Sequence, residues 1–134
     1  MKPRYMLDTN ICIYLLKNQP PTVATRFSQC RVGDVVISAI TYAELHYGVA
    51  KSAQSRRAAD QLKALISQIP VAAFDEEAAH TYGPLRLSAG SSRQDQLDTL
   101  IAAHAQSLGV ALVTNNLKDF AHYPGLRTEN WLEP

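Results

Sequence analysis

Five short segments of the chain are rich in apolar or β-branched residues and end at polar or turn-forming ones. The clearest are residues 4–7, 35–38 and 110–114, and weaker examples are 71–74 and 126–129. Runs of this length and composition are typical of strands. The pattern therefore predicts four to five strands.

Longer segments between these strands carry apolar residues at helical spacing. They predict helices at about 10–16, 22–29, 41–50, 52–68, 76–89 and 98–108. The Gly83-Pro84 pair predicts a kink or an interruption in the fifth of these helices. Because strands alternate with helices, we expect an α/β fold with a central, mostly parallel sheet flanked by helices, in a single domain that spans 1–134.

Composition supports a globular domain in a reducing compartment. Apolar residues make up 46% of the 134 residues, which is enough to build a core. The two cysteines, Cys12 and Cys30, lack zinc-ligand spacing and are expected to be buried thiols. Asp8 interrupts the first apolar run before a signal-peptide core forms, and no apolar run reaches the roughly 18 residues of a membrane span. We therefore expect a cytoplasmic protein without a membrane segment.

The net charge of +1 does not by itself indicate nucleic-acid binding. If four acids were gathered in one metal site, however, the rest of the chain would carry thirteen basic and eight acidic side chains, an excess of five positive charges. The basic residues expected to contact phosphates, although each alone is equally typical of a solvated surface, are Lys51, Arg56, Arg57, Arg86, Arg93 and Lys118.

Four acidic residues are placed where a parallel sheet binds ligands, in the crevice at the carboxyl ends of its strands. Asp8 ends the first strand, and Asp119 follows the fourth. Glu44 lies in the first turn of the helix after the second strand, and Asp98 lies in the first turns of the helix before the fourth. We therefore expect all four carboxylates to face one crevice.

Each of these acids also has a purely structural interpretation. Asp8 suits the N-cap of the helix that follows it, and Thr41 with Glu44 fits the capping box T-x-x-E. Asp98 is favourable near the start of a helix, and Asp119 is of a type common in turns. The residues alone leave both interpretations open.

Taken together, the acids predict metal-assisted phosphodiester hydrolysis. Carboxylates crowded into one crevice repel one another unless a cation neutralises them. An oxygen-only ligand set suits Mg²⁺ or Mn²⁺, which can activate water and stabilise a departing oxygen. No H-E-x-x-H or G-x-S-x-G motif points to zinc or serine chemistry. His104, within an apolar helix face, is expected to be a hydrogen-bonded packing residue.

Two other classes of function are open. In the first, the chain is an aspartyl-phosphate phosphotransfer protein or phosphatase with Asp8 as the nucleophile. Such sites need a second aspartate two residues later, where this chain has Asn10. In the second, the chain is a binding module that acts only by pairing with a partner, and four acids in one crevice would then serve no purpose.

Five segments match one known family in their order and spacing. They are Met6-Leu7-Asp8-Thr9-Asn10; Ile37-Ser38 with Ala43-Glu44-Leu45 and Tyr47-Gly48; 98–105; Val113-Thr114-Asn115-Asn116 with Phe120; and Pro124-Gly125-Leu126 with Asn130-Trp131. Together they cover nearly the whole chain and resemble the VapC family of PIN-domain ribonuclease toxins.

The resemblance implies a PIN-like fold and a Mg²⁺-dependent endoribonuclease, the toxin of a type II toxin–antitoxin pair and commonly a homodimer. It implies that Asp8, Glu44 and Asp98 are the acidic metal-binding residues and that Asp119 completes the catalytic set. Family substrates are structured RNAs, commonly tRNA anticodon stem-loops. The implied protein partner is a VapB-type antitoxin.

Three positions depart from the family pattern. Asn116 stands where many PIN domains have an aspartate, so the fourth carboxylate is Asp119 or is absent. The segment 91–97 replaces the usual Pro-Ile-Gly approach to the third acid and makes Asp95 a candidate substitute ligand. Pro84 interrupts a helix that relatives usually run without a break.

Overall fold

The computed structural model of the chain describes residues 2–89 and 96–133, which contain five strands and seven helices. The strands are β1 (Tyr5–Leu7), β2 (Val35–Ser38), β3 (Val71–Ala72), β4 (Ala111–Val113) and β5 (Thr128–Glu129). The helices are α1 (Thr9–Lys17), α2 (Pro21–Ser28), α3 (Ala39–Lys51), α4 (Ser55–Ile66), α5 (Glu76–Ser88), α6 (Gln96–Leu108) and α7 (Leu117–Phe120).

The five strands form one sheet in the order β3-β2-β1-β4-β5, and all four neighbouring pairs are parallel. From β1 the chain builds outward through β2 to β3. It then returns to place β4 on the other side of β1 and continues outward to β5. The direction of construction therefore reverses between β1 and β4, and in open parallel sheets ligands bind outside the carboxyl ends of the strands at such a point.

Different helices cover the two faces of the sheet. Met6 of β1 and Leu112 of β4 pack with apolar residues of α5 and α6. Their neighbours Leu7 and Val113 point to the opposite face and pack with residues of α1, α2 and α4. This alternation along each strand, with both faces apolar, is what a fully covered parallel sheet requires. The predicted α/β class and parallel sheet are confirmed.

Local sequence predicted the positions of the strands and of six helices, although several ends differ: β5, predicted at 126–129, begins at Thr128, and α3, predicted from 41, begins at Ala39. Three further differences are larger. The strand predicted at 71–74 ends at Ala72, because the Asp75 carboxylate caps α5 by accepting a hydrogen bond from the Ala78 N–H, 3.0 Å, and the chain leaves the sheet. Helix α7 was not predicted. Of the kink or interruption predicted at Gly83-Pro84, the interruption is wrong: α5 continues through Pro84, since the adjacent Leu85 is buried and α5 packs along α6.

The cysteine prediction holds for one residue of the two. Cys12 is fully buried in α1, and burial raises the pKa of its thiol. Cys30 is only half-buried, so the expectation that it is a buried thiol is wrong. Within residues 2–89 and 96–133, no helix combines the length and apolar character needed to cross a bilayer.

A buried hydrogen bond joins α6 to the start of α3. Ser38 ends β2 and caps α3, its hydroxyl oxygen accepting the Ile40 N–H at 3.0 Å. The same oxygen lies 2.7 Å from Nδ1 of His104, which is buried in α6. His104 is thus a hydrogen-bonded packing residue, as predicted. Burial lowers the pKa of His104 below its ordinary value near 6.5, although the charge of Asp75 acts in the opposite direction.

The lowered pKa of His104 predicts how stability depends on pH. When pH falls through 6.5, the unfolded chain binds a proton at His104 while the folded chain does not, so the free energy of unfolding decreases until pH reaches the folded pKa. We expect denaturant titrations between pH 7.5 and pH 5 to show this decrease in the wild type and a shallower one in His104→Gln. Equal pH slopes in the two proteins would contradict the assignment.

Candidate active site

A pocket of about 290 Å³ opens at the carboxyl edge of the sheet, where β1 and β4 end. It contains all four predicted acids. Its lining consists of Asp8, Thr9, Asn10, Glu44, Asp98, Ile101, Asn116, Asp119 and Phe120. The prediction that these acids face one crevice therefore agrees with the geometry.

Asp8 is the most buried of the four acids, with 7% of its surface exposed. One carboxylate oxygen caps α1 by accepting the Ile11 N–H at 2.9 Å. Burial raises the pKa of Asp8, and the charge of Glu44 raises it further, whereas hydrogen bonds from the Thr114 side chain and the Ile11 and Asn10 N–H groups act against this rise. Asp8 is thus both a helix cap and part of the pocket, so the two interpretations of this residue are compatible.

Glu44 reaches the pocket from α3 and is not part of a capping box. Helix α3 begins at Ala39 and is capped by Ser38, so Glu44 lies in the second turn, not the first, and both the predicted box and the predicted position are wrong. Thr41 instead buries its hydroxyl within the helix, without a hydrogen-bond partner among the described residues. The Glu44 carboxylate accepts a hydrogen bond from the Thr9 hydroxyl, 2.7 Å, which fixes it beside Asp8.

Asp98 and Asp119 complete the acidic lining from two other elements. Asp98 is half-buried in the first turn of α6. Asp119 is exposed in α7, and the side-chain amide of Asn116 donates a hydrogen bond to its carboxylate. On this side of the pocket an aspartate and an asparagine are therefore hydrogen-bonded to each other. Asp95, the candidate substitute ligand, lies outside the described residues.

Sequence reasoning missed two threonines beside the acids: Thr9, whose hydroxyl holds Glu44, and Thr114, whose side chain opposes the rise in the pKa of Asp8. Thr9 follows Asp8 after β1 and Thr114 follows β4, yet nothing local identifies their partners. The Thr9–Glu44 bond joins residues 35 apart in sequence. The signal that could have found Thr9 is its place next to Asp8 at the end of β1, where side chains meet those of the neighbouring helices.

The donor chemistry of the pocket fits a hard divalent cation. Oxygen atoms of carboxylates, amides and a hydroxyl line it, and no histidine or cysteine is among the described lining residues. Across residues 2–89 and 96–133, no three His, Cys, Asp or Glu side chains are grouped closely enough to chelate one ion. Mg²⁺ suits this spacing, since it keeps several waters and is usually held through one or two carboxylates.

The basic residues predicted to contact phosphates lie outside this pocket as far as the structure describes them. Arg56 and Arg57 line a shallow surface depression with Asp60 at the start of α4. Lys51 rests over the Tyr47 ring, 5.0 Å from its centre. The remaining ones are Arg86, which donates a hydrogen bond to the Tyr82 hydroxyl, Lys118 in α7, and Arg93, which lies outside the described residues.

Known proteins resemble this chain over nearly its full length. The sequence profile of the PIN domain matches residues 5–126. The tRNA(fMet)-specific endonuclease VapC of Shigella flexneri is 41% identical over 132 residues, which are 96% of this chain and 98% of that protein. Ribonuclease VapC2 of Haemophilus influenzae is 40% identical over 133 residues, with the same shares covered.

Solved structures agree with the sequence relatives. The crystal structure of DNA-bound VapBC from Salmonella typhimurium matches with a TM-score of 0.89 and 38% identity, covering 96% of this chain and 98% of that one. VapBC2 from Rickettsia felis, bound to a promoter DNA fragment, matches with a TM-score of 0.87 and 35% identity, covering 95% and 98%. The chain therefore belongs to the PIN-domain family and, within that family, to the VapC ribonucleases.

Proposed function

We propose that this chain is a toxin that uses Mg²⁺ or Mn²⁺ to hydrolyse phosphodiester bonds within a structured RNA, with the anticodon stem-loop of a tRNA as substrate. The observation that carries the proposal is the convergence of four carboxylates from separate elements on one pocket. The name of the Shigella relative, a tRNA(fMet)-specific endonuclease, supports tRNA as the substrate class.

Some pocket residues would hold the cation, and others orient the side chains that hold it. Asp8, Glu44 and Asp98 would hold the ion, directly or through its waters, and Asp119 would complete the catalytic set. A bound divalent cation would lower the pKa of a water molecule that it coordinates and would stabilise negative charge on the phosphate. The Thr9 hydroxyl keeps Glu44 turned into the pocket, which places its charge near Asp8.

The aspartyl-phosphate alternative has no support. Asn10, where such an enzyme needs a second acid, lines the pocket beside Asp8 and can donate or accept a hydrogen bond but cannot act as an acid. The named relatives are ribonucleases. A module without activity would gain nothing from a pocket in which burial and a neighbouring carboxylate raise the pKa of Asp8.

A VapB-type antitoxin is the proposed protein partner, because the matched structures from Salmonella and Rickettsia are VapBC complexes. A homodimer is part of the same proposal. The cytoplasmic location expected from the sequence stays a prediction.

The test of this function is to map RNA ends in cells. We expect brief expression of the wild type to produce new 5′-phosphate ends at one or a few positions, within a tRNA anticodon stem-loop, and Asp8→Asn to produce none. Asparagine is as good a helix cap as aspartate, so the variant removes the charge while α1 stays capped. The same new ends in both samples would refute the assignment of Asp8 to the site.

Cleavage in vitro is expected to depend on the cation. Purified protein should cut its RNA with Mg²⁺ or Mn²⁺ and lose activity in excess EDTA, while circular dichroism shows that the fold persists. Zn²⁺ should not substitute well, because the described pocket lining offers it neither histidine nor cysteine. Undiminished cleavage in EDTA would overturn the metal mechanism.

Glu44→Gln separates charge from structure at a second position. The glutamine side chain retains a carbonyl oxygen that can accept the Thr9 hydroxyl, so the free energy of unfolding should change by less than about 1 kcal/mol. The rate of RNA cleavage should fall by orders of magnitude, since a carboxylate of the cation site is lost. The matched control is Glu77→Gln in α5, an exposed acid outside the pocket, which should cut RNA as the wild type does. A Glu44→Gln protein as active as this control would remove Glu44 from the site.

A further inference from the structure

The loop between β4 and α7, residues 114–116, connects two sides of the pocket. The Asp8 N–H donates to the Val113 carbonyl oxygen at 3.0 Å directly before this loop, and the Thr114 hydroxyl oxygen accepts the Asn116 N–H at 3.0 Å within it. The Asn116 side chain in turn donates to the Asp119 carboxylate. A shift of this loop would therefore move the Asn116–Asp119 pair relative to Asp8.

Asn115, in the middle of the loop, is held from outside the pocket. Its side-chain amide nitrogen donates a hydrogen bond to the Tyr14 hydroxyl at 3.0 Å, across 101 residues of sequence. The other polar atom of this side chain, Oδ1, is buried and finds no hydrogen-bond partner among the described residues. Tyr14 is not among the described residues that line the pocket, and it lies in α1, the helix that Asp8 caps.

We propose that Tyr14 is a positioning residue for the cation site. The segment Asp8–Tyr14 holds the loop at two points, through the Asp8 N–H, which donates to the Val113 carbonyl oxygen at 3.0 Å directly before the loop, and through Tyr14 to Asn115 farther along. With both bonds made, the loop has one orientation relative to α1, and the Asn116–Asp119 pair is fixed against Asp8. This inference rests on the proposed cation-dependent function.

Loss of the Asn115–Tyr14 hydrogen bond should disturb the loop, because the Asn115 side chain has no other hydrogen-bond partner among the described residues. Without the phenol oxygen, the Asn115 amide nitrogen would lose its partner beside an Oδ1 that is already buried without one among the described residues, which favours movement of the loop toward new partners. Residues that orient the ligands of a metal site typically change metal affinity about 10–100-fold when mutated. Tyr14 contacts Asn115 and not one of the proposed ligands, so we expect Mg²⁺ affinity to change by the lower end of this range, about tenfold.

The experiment compares Mg²⁺ binding by full-length wild type and Tyr14→Phe, using calorimetry without RNA and cleavage rates at increasing Mg²⁺. Tyr14→Phe keeps the ring and removes the hydroxyl. We expect the half-saturating Mg²⁺ concentration to rise about tenfold in both measurements, while the cleavage rate at saturating Mg²⁺ is retained. The matched control is Tyr5→Phe, which also removes a phenol oxygen that accepts a hydrogen bond, from Arg4 at 3.2 Å, and should leave Mg²⁺ binding unchanged.

A second variant tests whether Tyr14 acts through Asn115. Asn115→Ala removes the other half of the bond, and it should raise the half-saturating Mg²⁺ concentration as Tyr14→Phe does. The double variant should be no worse than the more affected single variant, because residues that act through one contact are not additive. If one single variant folds poorly, Mg²⁺ binding by the other still tests the hydrogen bond, because each variant removes one of its two partners.

The outcomes separate this inference from the proposed function. If Tyr14→Phe lowers the melting temperature but binds Mg²⁺ as tightly as the wild type, Tyr14 is purely structural and the inference is wrong, while the function stands. Independent, additive effects of Tyr14→Phe and Asn115→Ala would also overturn it. A wild type that neither binds Mg²⁺ nor needs it for cleavage would overturn both proposals.

Discussion

Four carboxylates repel one another around one small pocket, and the fold has to hold them there without neutralising them. No lysine, arginine or histidine is among the described residues that line the pocket. The acids are held instead by neutral donors: the Ile11 N–H at Asp8 and the Thr9 hydroxyl at Glu44. Neutral donors orient a carboxylate without cancelling its charge, whereas a basic side chain would cancel it. The pocket therefore keeps the negative charge that attracts a cation.

The sheet supplies the rigidity that this arrangement needs. The interior strands β1 and β4 are covered on both faces, so their carboxyl ends are fixed points from which Asp8 and the loop after β4 project. Asp8 also contributes to folding, since it caps α1. A residue with both roles ties the geometry of the site to the stability of the first helix, and a charge-only substitution such as asparagine is needed to tell the roles apart.

Local sequence patterns were sufficient for most of the fold and for the four acids, because strands, long helices and strand-end acids all leave local signals. They failed where contacts between distant parts of the chain determine the local structure. Helix α7 has four residues, too few for a periodic pattern, and the T-x-x-E motif at Thr41 lost to Ser38, whose hydroxyl already caps α3. The bonds from Thr9 to Glu44 and from Asn115 to Tyr14 join distant parts of the chain, which no local motif announces.

The exposure of the four acids increases across the pocket from the sheet outward. Their different exposure suits them to different parts of the proposed function. Asp8 is almost fully buried, Glu44 and Asp98 are half-buried, and Asp119 is exposed. Burial makes an uncompensated charge costly, as the raised pKa of Asp8 indicates, so a cation held by the proposed site would offset the largest cost at the inner end of the pocket, near Asp8. The exposed end is where a phosphate backbone can arrive. Because Asp119 there is anchored by Asn116 rather than by the sheet, its position depends on the loop that Tyr14 holds.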